Sequence, residues 1–344
     1  MLLFNAAFVS FLLSTFSTRV NAQANVTGNC ITGRITFDRL RTYSNFHPDT
    51  TLPQLNVSTY DATVDYGANT VSFPSTGGVN LQLIKSSTGG AAAAGARLST
   101  TRYILYAKIT ARMHALTLPG AVTTFITMSD RKDEIDWEMV GSSNTTAQTN
   151  VFYKGIQEFA IHGTTEKIAT AGPNGANGTG TAHNYIIDWK HNTLSWGIDG
   201  TILRTLNKQT SISPLTPPGE RWFPSTPSLV QISVWDGGSS PNAGTANWAG
   251  GPIPWGSQTA LSALYEYIDI QCYNDNDLPV PKWPANDANP NFAVAPATQP
   301  TSNAPKPSTT GPTTQENSAK GSGYAMSFIL TVSLTLGLAA FMIK

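Results

Sequence analysis

Glu134, Asp136 and Glu138 alternate with Ile135 and Trp137 in a short acidic run that begins at Asp133. In an extended strand successive side chains point to opposite faces, so this spacing gathers three carboxyls on one side and two apolar groups on the other. Like charges crowded on one strand face repel each other. Four of the chain's 21 acidic residues lie within these six positions, so the crowding calls for a chemical reason. The chemistry that most needs such a set is retaining glycoside hydrolysis or transfer. There, one carboxylate attacks the sugar while a second, held protonated, donates to the leaving oxygen. The backbones of positions 134 and 138 sit roughly 13 Å apart along a strand. The mechanism wants carboxyls about 5 to 5.5 Å apart, so the two side chains must lean together over a twisted, concave sheet. Asp136 then lies between them, where it can hydrogen-bond the nucleophile and raise the proton affinity of its neighbours. These six residues alone leave a solvated acidic strand or a calcium site open, although the calcium-loop pattern, which adds a glycine for the turn, is absent.

The elements that must hold this strand are themselves strands. Residues 81–84 alternate, and residues 103–113 place Tyr103, Leu105, Ala107, Ile109, Ala111 and Met113 on one face. Pro119-Gly120 turns the chain into a strand over 121–128, and 129–132 form the turn into the acidic strand. Further strands are predicted at 150–154, 184–189, 229–235 and 265–272, and 91–94 is predicted as a loop between glycines. Asp199-Gly200 suits a type I′ hairpin joining 193–198 to 201–205, and 172–180 read as a Gly/Asn-rich surface loop. Many short antiparallel strands in a chain of this length predict an all-β, two-sheet sandwich of the jelly-roll kind.

Aromatic residues follow the acidic strand. Trp235 shares its face with Gln231 and Ser233, and Trp248 sits in the Gly-rich segment 246–251. A flat ring beside polar groups is the pattern of a sugar-binding cleft, with core packing the alternative. Core packing is the preferred reading for Trp189 and Trp196. The histidines His47, His114, His162, His183 and His191 show no paired metal-ligand spacing and read as structural or surface residues. No GxSxG motif supports serine chemistry. Neither a metal nor a cofactor is expected.

Residues 1–22 read as a signal peptide, apolar over 2–16 and ending in Val20-Asn21-Ala22. Residues 23–277 form one large β domain. Residues 278–323, rich in Pro, Ser, Thr, Asn and Ala, read as an extended stalk. Residues 324–344 form an apolar tail behind Asn317-Ser318-Ala319 and a short polar spacer. That is the pattern of a glycosylphosphatidylinositol signal with Asn317 as attachment residue; a retained membrane span is the alternative. Sequons at Asn25, Asn56, Asn144 and Asn177 agree with a secretory route. Cys30 and Cys272 flank the domain and could close it with one disulfide in an oxidising compartment; two buried thiols are the alternative. A formal charge of zero and 12 % charged residues, without a basic patch, point away from nucleic acid.

Several segments together resemble glycoside hydrolase family 16 and, within it, the fungal Crh-type cell-wall transglycosylases. Glu134-Ile135-Asp136-Trp137-Glu138 looks like the family's ExDxE signature. Residues 183–189 with 195–200 are similar to its paired strands, and Trp235-Asp236-Gly237-Gly238 through Thr245 to Trp248-Ala249-Gly250-Gly251 to its acceptor-side loop. The resemblance implies a β-jelly roll with Glu134 as nucleophile, Asp136 as its helper and Glu138 as acid/base and sugar contact. It also implies that Trp235 and Thr245 touch the saccharide. Where the family commonly has an Arg four residues before that Trp, this chain has Gln231, which loses a charge but keeps donors. The expected activity is retaining transfer from chitin or β-glucan to a β-glucan acceptor by a monomeric, secreted, surface-anchored protein. A hydrolytic endo-β-1,3(4)-glucanase and an inactive lectin-like wall protein are the alternatives.

Overall fold

The computed structural model describes residues 30–37, 61–169 and 178–284. The expected leader, most of the stalk, the tail, Asn317, His47, and the sequons at Asn25, Asn56 and Asn177 lie outside them. In chain order the strands begin with β1 Cys30–Ile31, β2 Gly33–Ile35, β3 Ala62–Tyr66, β4 Val71–Ser72, β5 Val79–Ile84 and β6 Ala96–Thr100. They continue with β7 Ala107–His114, β8 Ala121–Ser129, β9 Glu134–Val140, β10 Thr146–Phe152 and, after the short helix α1 Phe159–His162, β11 Thr164–Lys167. Next come β12 His183–Trp189, β13 Thr193–Ile198, β14 Thr201–Asn207, β15 Ser228–Asp236 and helix α2 Ala243–Ala249. Strands β16 Ala260–Tyr273, β17 Pro279–Val280 and β18 Lys282–Trp283 complete the described chain.

Two antiparallel sheets form an all-β sandwich. One has seven strands in the order β11-β10-β9-β8-β15-β6-β3; the other runs β14-β13-β12-β7-β16-β5-β4, with β2 and β17 also on β16. The acidic strand β9 is therefore an inner strand of the seven-stranded sheet, between β8 and β10. Its apolar alternates Ile135, Trp137 and Met139 are fully buried between the sheets. Burying each such side chain stabilises the fold by roughly 1.5–3 kcal/mol. Tryptophans also tie the layers together. Trp137 Nε1 donates to Ile186 O on β12 (3.0 Å), and Trp196 Nε1 on β13 donates back to the backbone oxygen of Asp136 (3.0 Å). The acidic strand is thus fixed from beneath by the opposite sheet. Trp189 and Trp196 are completely buried, as the sequence led us to expect.

Asp199 and Gly200 both adopt positive φ, 50° and 86°, the signature of the predicted type I′ turn between β13 and β14. Cys30 and Cys272 are disulfide-bonded across 242 positions. Two expectations change. The strand predicted over 103–113 starts only at Ala107, because Tyr106 has φ 66° and bends the chain there. The fold also runs past Asp277: Val280 pairs with Cys272, and Trp283 with Cys30 in a separate two-stranded ribbon, so the first residues assigned to the stalk are part of the fold.

Candidate active site

Register places the carboxyls. Across β9 and β10, Phe152 faces Glu134, Asn150 faces Asp136 and Gln148 faces Glu138; on the other flank Met128, Ile126 and Thr124 stand opposite the same three acids. Directly opposed residues share a face, so these side chains line one surface, on the side of the sheet away from the core. Continuing outward, Gln231 stands beside Ile126, Ser233 beside Thr124 and Trp235 beside Val122. The sequence-predicted acids, Gln231 and Trp235 are therefore brought to a single sheet face.

Asp133, the first acid of the run, does different work. Its carboxylate accepts from the backbone N–H of Lys154 (3.1 Å) and Ser225 (3.0 Å) and from Thr226 Oγ1 (2.7 Å). Three donors to one buried carboxylate pin the turn that launches β9.

The other acids lack such support. Asp136 is 1 % exposed, and no N–H or hydroxyl among the described residues donates to either of its oxygens. Burial pushes its pKa well above the usual carboxylate range, helped by the charges of Glu134 and Glu138 and by its hydrogen bond to Glu134. Burial likewise pushes Glu134 up to about 7, but the hydrogen bond to Asp136 and the positive charges of Lys132 and Arg97 hold it down. Glu138 is pushed up to about 8 by burial and by the charge of Glu134, with no group that lowers it. Two carboxyls can share a hydrogen bond only through a retained proton, so the Glu134–Asp136 pair holds one between them. Burial and mutual repulsion raise all three carboxyls, so the set holds protons into the neutral range, as an acid beside a nucleophile requires.

Trp248 arrives from outside the sheet. The Gly-rich segment read as a loop is a short helix, α2, whose first turn is capped by Asn242 Oδ1 accepting from Thr245 N (3.1 Å). Gly250 ends it in the left-handed region at φ 95°. Gly238 is needed for contact, since a Cβ there would lie 1.9 Å from the Gly251 oxygen. Thus packed, α2 sends Trp248 Nε1 to Gln148 Oε1 (2.8 Å), beside Glu138. The Trp248 and Trp235 rings stack at 6.0 Å and 23°, both half-buried, making an aromatic wall at the Glu138 end. Thr245, in the first turn of α2, is half-buried beside its cap.

Gln231 departs from the expectation of donors facing a sugar. It is 4 % exposed, and its Nε2 donates to Ser99 Oγ (3.0 Å), which in turn donates to Asp65. Its unpartnered atom is the acceptor Oε1. The physical reason is the neighbouring strand β6, whose Ser99 stands directly opposite and takes the amide.

Sequence reasoning missed Asn150, Gln148 and an aromatic pair at the opposite end. Phe152 packs edge-on against Phe159 of α1 (5.7 Å, 90°), and Phe159 is 47 % exposed. The only sequence signal for Gln148, Asn150 and Phe152 was their place on the strand after the acidic one. Of the predicted glycosylation sites, Asn144 is described: it sits half-buried in the turn between β9 and β10.

The family model "Glycosyl hydrolases family 16" matches residues 58–250, more than half of the chain. The chain belongs to glycosyl hydrolases family 16. Among family 16 relatives, Crh-like protein 2 of Aspergillus fumigatus is 38 % identical over 186 residues, covering 52 % of this chain and 40 % of that protein. Congo red hypersensitive protein 2 of Saccharomyces cerevisiae is 36 % identical over 191 residues, 52 % of this chain and 38 % of that one. This chain spans about two fifths of the length of these curated relatives. A solved Crh5 transglycosylase in complex with NAG is similar at 26 % identity and a TM-score of 0.56, over 73 % of this chain and 89 % of that one.

Proposed function

We propose that this protein is a retaining transglycosylase that cleaves a β-linked wall polysaccharide, chitin or β-glucan, and passes the glycosyl group to a β-glucan acceptor. The observation that carries this reading is the register that brings Glu134, Asp136 and Glu138 to one sheet face beside the stacked Trp235 and Trp248 rings. Glu134 attacks the anomeric carbon as the bond to the leaving chain breaks, and Glu138 gives its proton to the departing oxygen. In the second half an acceptor hydroxyl attacks the same carbon. Its proton goes to Glu138 and the ester bond to Glu134 breaks. Asp136 keeps its proton on the Glu134 side and orients that carboxyl throughout.

Trp235 and Trp248 give the pyranose rings a flat apolar wall, with Thr245 and the half-buried Glu138 as polar contacts beside it. Gln231 acts through its carbonyl oxygen, which accepts from a sugar hydroxyl. The protein is read as secreted and monomeric, and as held at the surface through the stalk and an anchor at Asn317, with glycans on its sequons. Likeness to a transglycosylase whose solved complex contains NAG favours an N-acetylated donor over glucan.

A labelled gluco-oligosaccharide acceptor incubated with chitin or β-glucan donor tests the reading. Label in polymer is the expected result. Shortened products without transfer mean a plain glucanase, and binding without products means a lectin-like protein; either outcome overturns the proposal.

A further inference from the structure

Asn150 stands out among polar residues outside the acidic trio. It is 5 % exposed, and both its amide nitrogen and its oxygen are buried without a hydrogen-bond partner among the described residues. Leaving such a group unpaired costs about 1–3 kcal/mol. A strand that tolerates this penalty keeps the amide for a partner the resting state does not engage. That partner is identified by register. Asn150 lies directly opposite Asp136 on the same sheet face, and both Asp136 oxygens likewise lack a protein donor. Opposed side chains in an antiparallel pair have Cβ atoms about 4.5–5.5 Å apart, so a rotamer change brings the two groups into contact. The chemistry is complementary. An Asn amide offers two N–H donors, and an Asp carboxyl that gives its proton to Glu134 still has a carbonyl oxygen to accept.

We infer that Asn150 is a positioning residue: when a sugar fills the cleft, its amide donates to Asp136 and locks that carboxyl with its O–H aimed at Glu134. This rests on the transglycosylase reading and adds a member to its machinery. Asn150 touches no reacting atom; it acts through Asp136. Its neighbours on either side explain why the role falls to it. Phe152 has no donor, and Gln148 already accepts from the Trp248 ring.

The test is a double-mutant cycle on the full chain, with transfer rate, KM and thermal midpoint read for every variant. Asn150→Ala should lower kcat about 10- to 100-fold with KM held within about twofold. In an Asp136→Ala background the same substitution should cost less than about twofold, because the group it orients has gone. The thermal midpoint should stay within about 4 °C, since the amide removed was unpaired. An equal loss in both backgrounds, or a raised KM with kcat intact, would assign the amide to the sugar and overturn the inference. A large fall in the midpoint would make Asn150 structural and overturn it too. A wild-type protein that transfers nothing would sink the functional reading itself; an active wild type with an unimpaired Asn150→Ala variant sinks this inference alone.

Discussion

The outer face of the nine-stranded sheet and the open face of the seven-stranded sheet treat their polar groups in opposite ways. On the first, Arg112 Nε donates to Glu266 (2.9 Å), His114 meets the same carboxylate (3.0 Å), and Tyr267 Oη donates to Asn184 (3.0 Å). Arg34 binds Asp269 through two N–H groups, at 2.7 and 2.6 Å. These groups are accessible to water, where pairing adds little. On the second face Asp136, Asn150 and Gln231 are almost wholly buried, where pairing matters most, and each has polar atoms without a partner. At these three residues pairing is incomplete where omission is costly, whereas on the outer face it is present where it is cheap to omit. A fold selected only for stability would do the reverse. On the proposed function, a saccharide completes the polar network that these residues leave open.

Substitutions on the two faces should separate accordingly. The largest effect is expected from Glu134→Gln, which replaces the carboxylate proposed as nucleophile: transfer should fall by at least about 10³-fold, with the circular dichroism spectrum unchanged. A variant retaining a tenth of the activity would dissolve the contrast. Next, Trp248→Ala takes away half of the aromatic wall and the bond to Gln148. KM should rise about 10-fold, with kcat changed less than about threefold. Oligosaccharide titration of both proteins checks this.

A third, smaller effect concerns stability and pH. Glu138 has its pKa raised in the folded state, from 4.5 to about 8, so the folded protein holds a proton that the unfolded chain has released. Its stabilising contribution is complete below pH about 4.5 and is lost as pH climbs toward about 8. Glu134, raised to about 7, acts in the same sense. Thermal midpoints of the wild type should therefore fall across this window, and Glu138→Gln should flatten the fall and be the more stable protein at alkaline pH. The smallest effect belongs to the other face. Arg112→Ala breaks a pair whose side chains are each 33 % exposed, and should shift the midpoint by less than about 4 °C and leave transfer intact. A larger shift would show that the outer network matters more than its exposure implies.

How much of this was legible beforehand depended on how local the signal was. Period-two alternation exposed the acidic strand, and Asp199-Gly200 exposed the hairpin, because each rests on a few adjacent residues. Tyr103 to Tyr106 misled because alternation continues through a bend made by one positive φ. Helix α2 was hidden by its glycines and by its brevity, though Asn242 ahead of Thr245 was a capping signal that could have been read. Asn150 and the Ser99–Gln231 bond were not legible, since both arise from which strands become neighbours. The same holds for residues 279–283: Pro, Val, Lys and Trp look like the start of a linker until Cys272 and Cys30 are found opposite them.

The central claim is that the carboxyl at position 134 becomes covalently bonded to the sugar while that at 138 supplies the proton. Mass spectrometry of proteolytic peptides after incubation with a 2-fluoro β-glycosyl donor measures this directly. One glycosyl adduct, on Glu134, and none in Glu134→Gln is the predicted result; an adduct on Glu138, or turnover with no adduct at any carboxyl, would contradict it.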